Sequence, residues 1–202
     1  MKKISFLILP LILFSCSYTR NIPVKFERED KESIEAFLNN KNINYDIQEL
    51  ATLNHINTFI DFNSEGKLVV PEAYFFNKSG YRVKDDFNGT RCSLVISNID
   101  QVNSATANSE EKIDDWLKDI KLLHEHKGSS KIFDEDYDLY VIINWSIYAD
   151  KILKGHATET SFLWYNDLKK NNRGLNIKII LLNLDIQKDW EMTEAQNEVL
   201  GL

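Results

Sequence analysis

Residues 138–190 constrain the fold of this chain more than any other stretch, because they read as a strand, a helix and a second strand. Leu139–Ile143 is an uninterrupted hydrophobic run that is too short for a helix, as expected for a strand buried on both faces. Asn176–Leu184 has the same character, and residues 158–171 between them place large side chains at helical spacing. The stretch therefore predicts a βαβ unit with parallel strands and a right-handed crossover.

The rest of the chain predicts further elements of both kinds around this unit. With 202 residues, of which 43% are hydrophobic, the composition fits one ordinary α/β domain. Helices are predicted at Lys31–Asn40, at Glu110–His126 and after Thr193, which forms a capping box with Gln196. Strands are predicted at Thr58–Phe62 and Ser93–Ile99. A hairpin is predicted over Val69–Val83, with its turn at Asn77–Gly80.

The segment that follows the first buried strand, N-W-S-I-Y-A-D-K-I, resembles the F-W-A-x-W-C-x-x-C segment of thioredoxin-like proteins. In this resemblance Trp145 matches the tryptophan, Ser146 the small residue and Tyr148 the second aromatic, while Ala149 and Ile152 stand where the two cysteines would be. The resemblance implies a thioredoxin-like three-layer sandwich, with a mixed central sheet and helices on both faces.

Two other places extend the resemblance. Asp185 matches the aspartate at the end of the family's next strand, and Val69–Val83 is similar to the hairpin that follows the family's cis-proline, with Pro71 as that proline and Asn77 as the turn aspartate. In the family this hairpin follows the βαβ unit, whereas here it precedes it. Either it is an ordinary hairpin at the sheet edge, or the chain is a circular permutation of the fold.

The absence of the cysteine pair decides what chemistry the resemblance can imply. Dithiol exchange needs a thiolate of low pKa and a second thiol that resolves the mixed disulfide, and neither Ala149 nor Ile152 supplies one. Cys92 is the remaining candidate for a reactive thiol. His124 and His126 point apart on a helix, so we expect no metal site, and no catalytic constellation or cofactor motif is found.

The N-terminus has the pattern of a lipoprotein signal peptide. Lys2 and Lys3 precede the apolar run Ile4–Phe14, which is too short to span a bilayer and ends just before Cys16. The resemblance to the bacterial lipoprotein box implies acyl chains on Cys16, which together hold a protein at a membrane. The predicted divisions are a signal peptide at 1–15, a tether at 16–30 and a single domain at 31–202.

The net charge of the chain and the residue after Cys16 limit which partners and which membrane are expected. Removal of a leader that carries two lysines takes the formal net charge from −7 to −9, which argues against nucleic acid as a partner. Ser17 after the cysteine favours the outer membrane, facing the periplasm, in the sorting rule for this class. The sequence thus predicts a protein of the bacterial cell envelope that meets the membrane through its N-terminal lipid.

Three functions remain open at this point. The first is a redox-inactive thioredoxin-like module that binds a peptide or protein in a groove formed by Trp145, Tyr148, Ala149 and Pro71. The second is a thiol-dependent redox enzyme that uses Cys92 alone. The third is an accessory or immunity-type lipoprotein whose groove plays no part.

Overall fold

A computed structural model describes residues 26–83, 99, 110–124, 137–154 and 156–202. It shows a mixed α/β architecture built on a mixed sheet of six strands, in the order β4-β3-β6-β7-β2-β5. The strands are β1 (Arg28–Glu29), β2 (Leu50–Leu53), β3 (Glu72–Asn77), β4 (Arg82–Val83), β5 (Ile120–Leu122), β6 (Leu139–Trp145), β7 (Ile177–Asn183) and β8 (Ile186–Gln187), of which β1 and β8 form a separate parallel pair.

The centre of the sheet is β6, and the prediction of a buried βαβ unit is confirmed there. β6 pairs in parallel with β7 over its whole length, and β3 pairs with its other edge in the antiparallel direction. Six of the seven residues of β6 are buried, since a central strand with helices on both sides has no face left for water. β2 continues the sheet in parallel beyond β7, and β5 closes it as an antiparallel edge strand.

Helices pack on both faces of this sheet. They are α1 (Lys31–Asn40), α2 (Ile56–Ser64), α3 (Ile113–Leu117), α4 (Ile147–Ile152), α5 (His156–Lys170) and α6 (Glu194–Leu200). Alternate residues of β6 enter two different hydrophobic clusters, because side chains of a strand alternate between its faces. Val141 and Ile143 pack with α1 and α5, whereas Ile142 packs with α2 and α3.

The predicted hairpin is confirmed as β3 and β4. The side chain of Asn77 accepts hydrogen bonds from the backbone N–H groups of Ser79 (3.1 Å) and Tyr81 (3.0 Å), which closes the turn. Gly80 has a φ of +77°, and a Cβ there would lie 3.0 Å from a methyl group of Ile113, so glycine is required. The peptide bond between Val70 and Pro71, just before this hairpin, is cis.

Two predicted elements are wrong. Of the helix predicted at Glu110–His126, α3 is the helical part, and Ile120–Leu122 after it forms β5 and pairs with β2. Thr58–Phe62 was expected as a strand but belongs to α2, whose N-cap is His55. In both places the secondary structure follows non-local pairing or a helix cap rather than the local hydrophobic pattern.

Several sequence predictions concern residues outside the described part. They include lipidation at Cys16, the thiol of Cys92, the signal peptide and the strand over residues 93–98. Within the described ranges, no helix has the length and hydrophobicity needed to cross a membrane. The last five residues of the predicted tether, 26–30, belong to the folded domain and include β1.

Candidate functional site

The first turn of α4 is held in place by the carboxylate of Asp185, which follows β7. That carboxylate accepts hydrogen bonds from the hydroxyl of Ser146 (2.8 Å) and from the backbone N–H groups of Ile147 (2.7 Å) and Tyr148 (2.9 Å). The Ser146 hydroxyl also caps the helix by accepting from the N–H of Ala149 at 3.1 Å. A carboxylate therefore satisfies the helix N-terminus and fixes the segment that resembles the redox motif.

Further hydrogen bonds occupy the remaining polar atoms of Asp185. The side-chain amide of Asn183 donates a fourth hydrogen bond to its carboxylate (2.7 Å), and Asn183 accepts in return from the N–H of Asp185 (3.1 Å). Gln187 donates to the carbonyl of Asp185 at 2.7 Å. Asp185 is only 4% exposed, and four donors account for the usual acceptor sites of a carboxylate. The residue therefore positions the segment.

Asn144, near the end of β6, fixes the loop that carries the cis bond. Its side-chain amide donates to the carbonyl of Lys67 at 2.8 Å and to that of Val69 at 3.1 Å. Asn144 is 0% exposed, so these two bonds form without competition from water. They hold Val70 and Pro71 beside the end of the central strand.

A pocket of about 470 Å³ opens between this loop and α4. It lies at the carboxyl ends of the parallel strands β6 and β7, the edge where open α/β sheets commonly bind ligands. Its wall is largely apolar. The lining residues are Phe26, Phe59, Asn63, Leu68, Val70, Ser146, Tyr148, Ala149, Ile152, Leu153, Leu184, Asp185 and Leu200.

Of the four residues that the sequence predicted for the groove, two line the pocket, whereas Pro71 and Trp145 are not among its lining residues. Tyr148 and Ala149 line the pocket, and so does Val70, which is joined to Pro71 by the cis bond. Trp145 does not. It is 0% exposed and packs in the core, with its ring centroid 5.3 Å from that of Phe162.

A second pocket continues the first. Its volume is about 360 Å³, and it lies between α2 and α6. The two pockets have Phe59, Asn63 and Leu200 in common, and we call them together the apolar groove. Large apolar side chains stand exposed along the second half, with Val199 at 86% and Ile60 at 47% exposure. Such a concentration of exposed apolar side chains is typical of an interaction surface.

The beginning of the described chain lies on the groove. The ring of Phe26 stacks on Tyr148 with a centroid distance of 4.1 Å and an interplanar angle of 15°. Glu27 pairs with Lys151 of α4 at 2.5 Å, and the hydrogen bond from Lys151 lowers the pKa of Glu27. The sequence reasoning missed Phe26 because it treated residues 16–30 as an aperiodic tether.

Strand β1 holds the residues that follow Glu27 against the domain. It pairs with β8, and the N–H of Lys188 donates to the carbonyl of Glu29 at 2.8 Å. The Lys188 ammonium also bonds Asp30 at 2.5 Å, and this hydrogen bond, with that from the Ser33 N–H, lowers the pKa of Asp30 to about 2. The signal that could have predicted this docking is the alternation of Ile22, Val24 and Phe26 with other residues, a strand period.

The described residues of the site carry apolar side chains where the resembled motif has its two thiols. Ala149 and Ile152 line the pocket at the positions of the family's thiols, and the Ser146 hydroxyl is committed to Asp185. Among the described residues, no three His, Cys, Asp or Glu side chains are grouped so that they could hold a metal ion. His124 bonds Glu35, and His156 is exposed beside Glu159.

Comparisons with known proteins found no match: no family model, no curated protein and no solved structure is significantly similar to the chain. Function is therefore inferred from the residues of the chain itself.

Proposed function

We propose that this chain is a lipid-anchored protein of the bacterial envelope whose thioredoxin-like domain lacks thiol chemistry and binds an extended segment of a protein partner. One observation carries the proposal. Val70, which precedes the cis-bonded Pro71, lines the same pocket as Tyr148 and Ala149, although these parts of the chain are far apart in sequence. This is the groove that degenerate members of the thioredoxin-like family retain between the altered motif and the proline.

The arrangement of the sheet supports a permuted version of that fold. The hairpin of β3 and β4 precedes the βαβ unit in the chain, yet β3 pairs directly with β6, the strand that leads into the motif. Asp185, which matches the aspartate at the end of the family's next strand, bonds the motif segment itself. A permuted chain accounts for both relationships, because permutation alters the order of elements but leaves their neighbours unchanged.

The loop before Pro71 supports binding of an extended peptide. Within the described part of the chain, the backbone N–H and carbonyl of Val70 have no hydrogen-bond partner. Peptides that add to a protein as a strand use such free backbone groups for affinity, and neighbouring pockets select their side chains. The apolar groove offers those pockets, so the preferred peptide carries large apolar residues at alternate positions.

The N-terminal pattern supports the lipid anchor. Cys16 lies two residues after the apolar run Ile4–Phe14, which has two lysines in front of it, as in a bacterial lipoprotein leader. Metabolic labelling with a fatty-acid analogue tests this part. We expect label on the native chain and its loss in Cys16→Ser, and full label on Cys16→Ser would contradict the anchor.

Peptide binding is tested by selecting a displayed random-peptide library against the full chain. We expect enrichment of extended peptides with alternating apolar residues, and at least a tenfold loss of their affinity in Tyr148→Ala. Leu163→Ala is the matched control, since Leu163 is 62% exposed on α5 and does not line the groove. Equal affinity for native chain and Tyr148→Ala, with circular dichroism unchanged, would contradict the proposed groove.

A further inference from the structure

We infer that the segment Ser17–Lys25 of this same chain occupies the apolar groove, as a continuation of Phe26. The described chain already enters the groove at this point, because Phe26 lines the first pocket and stacks on Tyr148. The ion pair of Glu27 with Lys151 and the pairing of β1 with β8 hold the residues that follow Phe26 against α4 and β8. The preceding residues therefore start from within the groove.

The sequence of the segment fits an extended chain with one apolar face. Ile22, Val24 and Phe26 occupy every second position, so that in a strand conformation all three side chains point the same way. Pro23 lies between them, and proline is tolerated in a strand that uses one edge. The four residue steps from Ile22 to Phe26 span about 13 Å when the chain is extended.

Charge favours this occupant over a membrane surface. The segment contains Arg20 and Lys25 and no acidic residue. The helices on either side of the second pocket expose carboxylates, namely Asp61 of α2 and Glu194 and Glu198 of α6. A basic apolar segment is attracted to this rim, whereas the anionic headgroups of a bilayer are repelled by it.

The consequence for regulation rests on the proposed function. If the groove also binds a partner peptide, that peptide must displace the chain's own segment, and its apparent affinity falls by the fraction of time that the groove is filled. Docking of the tether itself does not depend on any partner.

Photo-crosslinking in the full chain tests the docking directly. A benzoylphenylalanine is placed at position 24, and the chain is irradiated in detergent without added peptide. We expect intramolecular adducts at residues 59–63 and 195–200, located by mass spectrometry. The matched control carries the same probe at position 163 on α5, and we expect it to give none of these adducts.

Three results would overturn the inference. They are the absence of adducts from position 24, adducts spread over the surface of the domain, and adducts that form between differently isotope-labelled copies. Leu200→Glu should lower the yield from position 24 at least fivefold while circular dichroism stays unchanged, and an unchanged yield would count against the groove as the docking place.

The outcome is separable from that of the proposed function. Adducts from position 24, with no peptide selected by either the native chain or Val24→Asp, would contradict peptide binding and support the docked tether. Where both hold, Val24→Asp should raise the affinity for a selected peptide at least fivefold. Native affinity in that variant would show that the tether does not compete, and would overturn its occupancy of the groove.

Discussion

The backbone N–H of Tyr148 donates a hydrogen bond of 2.9 Å to the carboxylate of Asp185, across the carboxyl edge of the two central parallel strands. The contact ties the aromatic residue of the groove to the end of a different strand. Since the carboxylate also accepts from Ser146, Ile147 and Asn183, the first turn of α4 is held as a rigid unit. The shape of the groove therefore depends on a residue whose contribution is structural.

We predict that Asp185→Asn lowers the free energy of unfolding by roughly 2–3 kcal/mol, the range for hydrogen bonds to a charged group. The amide keeps the shape of the carboxylate but turns an NH₂ group toward donors and leaves some of them unpaired. Urea unfolding at neutral pH measures the change. Asp167→Asn, on the exposed face of α5, should stay within about 0.5 kcal/mol of the native chain. Equal values for the two variants would refute the structural role.

Asn144→Asp should destabilise the fold in a way that depends on pH. The new carboxylate would be buried against the carbonyls of Lys67 and Val69, where the native amide donates. Burial without donors raises a carboxyl pKa above its ordinary value near 3.9, so the loss of stability grows as pH rises above that value. Unfolding at pH 4 and at pH 8 should give a clearly larger loss at pH 8. The exposed variant Asn171→Asp provides the reference.

Glu111 should make the native fold more stable above pH 5 than below it. Burial opposes its charged form, but hydrogen bonds from Arg82 (2.5 Å) and Trp116 (2.7 Å), with the charge of Lys67, outweigh burial and lower its pKa. A pKa lowered by folding adds stability above the unfolded value of 4.5, and that stability is lost as pH falls.

The substitution Glu111→Gln tests this directly. We expect the difference in Tm between native chain and variant to be largest above pH 5 and to shrink toward pH 3. Glu110→Gln, at the exposed neighbouring position, should follow the native profile. Parallel profiles for native chain and Glu111→Gln would show that the ion pairs contribute nothing measurable.

Thr193→Ala should loosen one wall of the groove without unfolding the domain. None of the residues of α6 is buried, so its order depends on the capping box in which Thr193 accepts from the N–H of Gln196 (3.2 Å) and Gln196 accepts from that of Thr193 (2.9 Å). Loss of an N-cap costs about 1 kcal/mol, or about a fivefold faster local opening. Amide hydrogen exchange over residues 196–200 measures it, and unchanged exchange would contradict the role of the cap. Glu198→Gln is the control.

The centre of the fold could be predicted from sequence because its signals are local. β6, α5 and β7 each carry their own hydrophobic pattern, and Asn77–Gly80 carries its own turn chemistry. The sequence patterns failed to predict secondary structure where a helix cap or a contact with residues distant in sequence determines it. Ile120–Leu122 continues the helical hydrophobic pattern of the preceding residues but pairs with β2. The helix α2 follows the N-cap His55, whose ring nitrogen accepts from the N–H of Thr58, and histidine is an uncommon N-cap.

The candidate site could likewise be predicted only in part from local sequence patterns. Tyr148, Ala149 and Pro71 were predicted from the motif and hairpin; Tyr148 and Ala149 line the pocket, whereas Val70 lines it in place of Pro71. The bond from Asn144 to Lys67 joins residues 77 positions apart, and no local pattern encodes it. Trp145 was predicted at the groove because it matches the tryptophan of the motif, but side chains of a strand alternate, and its side chain lies in the core.

The pairing of β1 with β8 also determines how the domain bears tension. A pull on the N-terminus reaches the fold at Phe26 and Glu27 on the groove and then at β1, whose partner strand begins one residue after Asp185. The two strands run in parallel, so the load acts in shear along their hydrogen bonds, and it passes into the strand ends that hold the groove before it reaches α1. Tension applied at the N-terminus would therefore act first on the candidate binding site.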